Sequence, residues 1–249
     1  MATNADTQGE MRPTDRFVWA ARAHALWDAF GVPYEFGTVQ TAPFPAPSPH
    51  LTEPVFRQKP GAPRRVGVLG QVSDDTEMAL VTMQTVLACG QAPRDLGDAL
   101  DDEMMLAYSE WAGGPHRCPF AGGNTRAIFN GSTDTAAIRK ASADRAVDAQ
   151  GNGCLMRAYP AFAMPSPERA VAFARSNCAL SNDNWPSLDI VSVYAALGHR
   201  LVRGVKPDTA LALAVGHAAA VEDADVLRTC ASAVDLTTTR DVTGKQKGW

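Results

Sequence analysis

Apolar residues recur at three-to-four spacing over most of the chain. Met78, Leu80, Val81, Val86 and Leu87 mark one buried helix that stops at Gly90. Leu96, Leu100, Met104, Ala107, Tyr108 and Trp111 mark the next. Upstream, Thr14 and Asp15 can cap a helix over residues 16–30, with Gly31 and Pro33 as stop signals and Phe17, Ala20, Ala21, Ala25 and Phe30 on its inner face. Shorter helices are predicted at residues 125–129, 134–147 and 154–159. Pro167 opens a helix over 167–176, as a first-turn proline does. Residues 187–203 are apolar on one side through Leu188, Val191, Tyr194, Ala195 and Leu201. Lys206-Pro207-Asp208 restarts a helix to residue 221, and another covers 224–234. Residues 38–63 are rich in proline and lack a helical period, so they read as a long loop, with at most an edge strand near 66–69. Alanine is abundant and β-branched runs are scarce. The pattern predicts an all-α domain, an irregular orthogonal helix bundle, over residues 14–249 behind a disordered tail at 1–13.

Composition narrows the classes. The 249 residues, 45% of them hydrophobic, can bury the core of one large domain. A net charge of -4 gives no reason to expect a nucleic-acid backbone or an anionic membrane as partner. The 5 cysteines contain no C-x-x-C pair, which argues against a disulfide framework or a zinc site and for a reducing compartment. The first 13 residues lack the basic and apolar parts of a signal peptide, and no stretch is apolar enough to span a bilayer. A cytoplasmic protein is the expectation.

The candidate chemistry centres on Ser73-Asp74-Asp75-Thr76-Glu77-Met78-Ala79-Leu80. Ser73 is a good N-cap, and acids in a first turn suit the helix dipole. The same residues crowd two carboxylates against an apolar helix, a cost that a hard divalent cation relieves. This segment resembles the [S/T]-D-D-T-x-M-A-L motif of the ADP-ribosylglycohydrolases. Further likenesses follow in the family's order. Asp28-Ala29-Phe30-Gly31-Val32-Pro33-Tyr34-Glu35-Phe36 is similar to G-D-A-L-G-x-P-x-E-F, Gly122-Gly123-Asn124-Thr125 to the family's glycine-rich turn, and Gly151-Asn152-Gly153-Cys154-Leu155-Met156-Arg157 to G-N-G-x-L-M-R. The likeness runs from about residue 16 to residue 204.

The resemblance implies a metal-dependent hydrolase that removes ADP-ribose from a modified protein or small molecule, with ADP-ribosyl-arginine as the expected substrate. Ser73, Asp74 and Asp75 would ligate Mg²⁺ or Mn²⁺, dinuclear in a complete form, and Glu35, Asp74 and Asp75 would be the catalytic carboxylates. Gly122, Asn124, Gly151, Asn152, Gly153 and Asn182 would line the ADP-ribose site. A Gly-Asn-Gly turn admits close approach of a diphosphate, although glycines in a turn can equally serve φ alone. Three departures stand out. Asn182 occupies what is usually a histidine position and cannot take up a proton near neutrality. Trp27 stands where a glycine is usual. The second aspartate cluster, G-D-x-D-T, is not found before Trp249, and Ser132-Thr133-Asp134-Thr135 reads as a helix cap at Thr133 rather than its substitute. That leaves open a shortened chain whose C-terminal part is missing, a site completed by a second chain, and a retained fold that binds ADP-ribose without hydrolysing it or serves a structural role. His199 and His217 fall in helical patterns and read as core-edge or surface residues rather than ligands.

Overall fold

In a computed structural model, the structure describes residues 11–35, 55–56, 65–66, 70–89, 98–114, 121–149 and 151–217. Helices dominate: α1 (Pro13–Glu35), α2 (Asp74–Ala88), α3 (Asp98–Gly113), α4 (Gly123–Ile128), α5 (Thr135–Arg145), α6 (Gly153–Ala158), α7 (Pro167–Ala179), α8 (Trp185–Val202) and α9 (Pro207–His217). A 3-10 turn, Tyr159–Ala163, continues α6. β1 (Val55–Phe56) and β2 (Arg65–Val66) pair antiparallel, Val55 opposite Val66, so a minimal strand pair sits where the sequence suggested at most one edge strand. The predicted helix at 224–234 and most of the 38–63 loop lie outside the described residues.

Three sequence-based boundaries are corrected. α1 runs through both of its expected stop signals, Gly31 and Pro33. Ala29 and Val32 are buried there, and their packing offsets the helical hydrogen bond that Pro33 cannot donate. At its other end Pro13 is already helical, within the stretch read as tail. The cap of α5 is Asp134 and not Thr133: its carboxylate accepts from the N–H groups of Ala136 and Ala137 at 2.9 and 3.3 Å. Asp134 is thereby occupied as a cap on an exposed helix end.

The core gathers Met78, Met104, Tyr108, Ile128, Phe129, Ile138, Phe173 and Val191 from α2 to α8. α8 packs against α7, α9 and the 3-10 turn, and Gly204, at φ 84°, ends it in a conformation that favours glycine. His199 is buried within α8, its Nε2 3.1 Å from the Met164 carbonyl, so it is a core residue. At Gly198 the Phe162 ring lies where a β-carbon would be. Gly198→Ala is therefore expected to cost about 1–3 kcal/mol by overpacking, read as a melting temperature lower by several degrees.

One buried polar network fixes α6 against its neighbours. Arg157 is wholly buried; its Nε donates to Asn177 Oδ1 at 2.7 Å, and its Nη2 to the Asn177 carbonyl at 2.7 Å and Ser181 Oγ at 2.8 Å. Its guanidinium lies over the Tyr108 ring at 5.2 Å. Asn177 Nδ2 donates to the Tyr108 hydroxyl, which meets Thr82 Oγ1 at 2.6 Å. Residues from α2, α3, α6 and α7 are thus joined through hydrogen bonds that a low-dielectric interior strengthens. Among the described residues, no helix is long and apolar enough to cross a membrane.

Candidate active site at the N-terminus of α2

The first turn of α2 is organised from outside by α1. Ser73 is the N-cap: its hydroxyl accepts from the Asp75 N–H at 3.2 Å and donates to Asp28 Oδ1 at 2.6 Å. Asp28 Oδ2 accepts from the Ser73 N–H at 2.9 Å, the Thr76 N–H at 3.1 Å and the Thr76 hydroxyl at 2.6 Å. One carboxylate therefore satisfies two amides and two hydroxyls where unpaired amides and the helix dipole both favour an anion. Sequence reasoning placed Asp28 inside a motif and gave it no role. Its signal was an acid preceding the buried pair Ala29 and Val32 on one helix.

Asp28 is close enough to Asp74 and Asp75, and Asp74 to Asp75, to disfavour the charge of the two α2 acids. Asp74 is buried, and desolvation raises its pKa, with Asp28 and Glu77 adding to the rise; hydrogen bonds from its own N–H and from that of Gly122 oppose it. Asp75 is pushed up to about 6, first by burial, then by Asp28 and Asp74, with His24 pulling the other way. His24 Nε2 lies 3.3 Å from the Asp75 carbonyl, and its ring stacks on Tyr159 at 5.7 Å. Tyr194 is pushed up to about 12 by burial and by Asp75. The acids thus sit beside an aromatic wall of His24, Tyr159 and Tyr194, which sequence reasoning did not assemble because its members come from α1, the 3-10 turn and α8.

A testable sign follows for Asp75. A carboxyl whose pKa is higher folded than unfolded stabilises the fold below its unfolded value, and that contribution is lost as pH rises through about 6. Asp75→Asn is therefore expected to raise the melting temperature of metal-free protein at pH 7.5 and to leave it nearly unchanged at pH 4. Equal effects at both values in thermal melts would contradict the assignment.

The Gly122 turn lies beside these acids, and the Gly151–Asn152 turn leads into a helix that begins beside α4. The Gly122 N–H bonds the Asp74 carboxylate, which ties the start of α4 to α2. A β-carbon at Gly153 would sit 3.9 Å from Thr125 Oγ1, so α4 and α6 begin side by side. Gly151 and Asn152 are exposed, Asn152 makes no capping bond with its side chain, and both line a cavity of about 310 Å³ with Asn184, Ser187 and Ile190. Asn124 Nδ2 donates to the Ser181 carbonyl at 2.9 Å. Asn182 is placed behind the turn: it is 4% exposed, accepts from Ser181 Oγ at 2.6 Å, and donates to the carbonyls of Ala149 at 3.1 Å and Gly151 at 2.9 Å. It holds the turn rather than facing a ligand. Glu35 closes α1, and its side chain lies outside the described residues. Trp27 is exposed, edge-on to Phe30 at 5.8 Å.

Asp74 and Asp75 present hard oxygen donors whose mutual repulsion a divalent cation would lower, which fits Mg²⁺ or Mn²⁺ retaining several waters. Ser73 Oγ is engaged as donor to Asp28 and acceptor from Asp75, so it has at most one lone pair to offer. Among the described residues, no three His, Cys, Asp or Glu side chains gather into a ready-made cation cage. A family model described as ADP-ribosylglycohydrolase matches residues 10–249. No curated protein and no solved structure matches the chain.

Proposed function

The chain belongs to the ADP-ribosylglycohydrolase family and is a hydrolase of that type; on that footing we propose that it releases ADP-ribose from ADP-ribosyl-arginine in a reaction dependent on Mg²⁺ or Mn²⁺. The observation that carries this reading is the mutually repelling pair of buried Asp74 and half-buried Asp75, set at a helix start by Asp28 and joined to the Gly122 turn. Asp74 and Asp75 would hold the cation, and Ser73 keeps them in place as N-cap. The cation would supply positive charge that orients the ribose hydroxyls and lowers the pKa of a water.

The protein's own groups account for the rest. The backbone of the Gly151–Asn152 turn offers close approach to the diphosphate, with Asn182 fixing the turn from behind. His24, Tyr159 and Tyr194 wall the acids on the apolar side and limit water there. Glu35 is the carboxylate proposed to activate the attacking water. A bond forms from that water to C1″ of the ribose as the C1″–N bond breaks, and guanidine leaves with its proton. The oxocarbenium character that develops is stabilised by the neighbouring carboxylates.

The test is a direct assay. ADP-ribosyl-arginine is incubated with the protein and Mg²⁺ or Mn²⁺; free ADP-ribose is expected, and a chelator is expected to abolish its release. A second reading, binding of ADP-ribose without turnover, is favoured by Asn182, whose committed amide cannot shuttle a proton. Calorimetry separates the two: metal-independent binding with no product would establish the second reading.

A further inference from the structure

Both glycine-rich turns are fastened to one buried residue, Ser181, just beyond the end of α7. Its N–H donates to the Cys178 carbonyl at 3.0 Å, as does that of Asn182 at 2.9 Å, so the two residues are seated on the last turn of that helix. The Ser181 carbonyl accepts from Asn124 Nδ2 at 2.9 Å and so holds the turn that opens α4. Its hydroxyl stands between Arg157 Nη2 at 2.8 Å and Asn182 Oδ1 at 2.6 Å. Asn182 Nδ2 then reaches the carbonyls of Ala149 and Gly151 at 3.1 and 2.9 Å.

Arg157 fixes the direction of this relay. A guanidinium only donates, so Ser181 Oγ accepts from it, and the single hydroxyl proton is left for Asn182 Oδ1. That settles which end of the Asn182 amide is oxygen, and its –NH₂ faces the two turn carbonyls. The Gly151 carbonyl and the Asn152 N–H belong to one trans peptide and point in opposite directions. Drawing the carbonyl inward onto buried Asn182 therefore turns the Asn152 N–H outward, to the exposed side where both residues line the cavity of about 310 Å³. A reversed amide would set its oxygen against two carbonyls and leave the turn without an anchor.

We propose that Ser181 is a positioning residue for the ligand site, holding the Gly122–Asn124 turn by its carbonyl and the Gly151–Asn152 turn by its hydroxyl, so that both turns meet one ADP-ribose. The effect on the ligand rests on the function proposed above, whereas the effect on the turns does not. The two arms are separable. Ser181→Ala deletes the hydroxyl and keeps the carbonyl; Asn124→Ala deletes the partner of the carbonyl and keeps the hydroxyl. Neither strips the buried cation, because Arg157 retains Asn177 Oδ1 and the Asn177 carbonyl, both at 2.7 Å.

The test begins without ligand, on the full chain labelled with nitrogen-15. Ser181→Ala is expected to lower the backbone order parameters at residues 151–153 from about 0.85 to about 0.6 and to leave those at 122–124 unchanged. Asn124→Ala is expected to do the reverse. In turnover of ADP-ribosyl-arginine with Mg²⁺, Ser181→Ala is expected to raise KM about tenfold, the scale of one lost hydrogen bond. Its kcat is expected to stay near the wild-type value, because the acids of α2 are untouched. A general loosening would mobilise both turns in both variants and lower kcat with them, and that pattern would overturn the proposal. So would turns as ordered in Ser181→Ala as in the wild type, or an unchanged KM. If the turns respond selectively but the wild type neither binds ADP-ribose nor cleaves the substrate, the positioning of the turns stands and the ligand reading fails.

Discussion

Asp74→Ala is expected to reduce ADP-ribose release by about a hundredfold or more, the scale seen when a preorganised charge at a reacting centre is deleted. Asp74 accepts the Gly122 N–H and shares its neighbourhood with Asp28 and Glu77, so its loss removes the proposed cation ligand and the link to α4 together. Thermal melts separate these effects. In the wild type, Mg²⁺ at a hundred times its dissociation constant would stabilise the fold by about 2.7 kcal/mol. In Asp74→Ala that increment is expected to vanish, while the metal-free protein melts at or above the wild-type temperature because a buried carboxylate has gone. A variant that keeps both the metal increment and the turnover would remove Asp74 from the site.

Asp28→Ala is expected to have the largest effect on stability. Its carboxylate receives four hydrogen bonds, from the Ser73 and Thr76 amides and from both hydroxyls. Bonds to a charged acceptor are worth more than neutral ones, and two amides at a helix start lose their partner. A loss of about 3 kcal/mol is reasonable, which at about 2–4 °C per kcal/mol for a chain of this size lowers the melting temperature by roughly 6–12 °C. Asp28→Asn is expected to fall between, since one amide oxygen still accepts while the –NH₂ meets donors. A melt of Asp28→Ala within 2 °C of the wild type would show that α2 caps itself.

The two variants mark what was legible in sequence. Helices were readable wherever one face was consistently apolar, as in α2, α3 and α8, because that periodicity reports burial directly. The end of α1 was not, since Gly31 and Pro33 are local breakers and the burial of Ala29 and Val32 that overrides them is a tertiary fact. At the site, Asp74 and Asp75 stood out as adjacent acids before an apolar run. Asp28 and His24 did not, because each acts across about fifty residues on a first turn that it does not share. Asn182 was expected to line the ligand site from its place in a motif, and its bonds to the carbonyls of Ala149 and Gly151 were not legible there, because a ligand-facing amide and a turn-supporting one look alike in sequence.

Asp28 reaches Ser73 and Thr76 across 45 and 48 residues, and α1 is itself held by the Tyr159 hydroxyl donating to the Phe17 carbonyl across 142. The acids of α2 are therefore placed by contacts of high sequence separation, which form late in folding relative to local helices. During synthesis, a nascent chain can coil α2 soon after it emerges, yet the carboxylate arrangement waits for the segment around Tyr159.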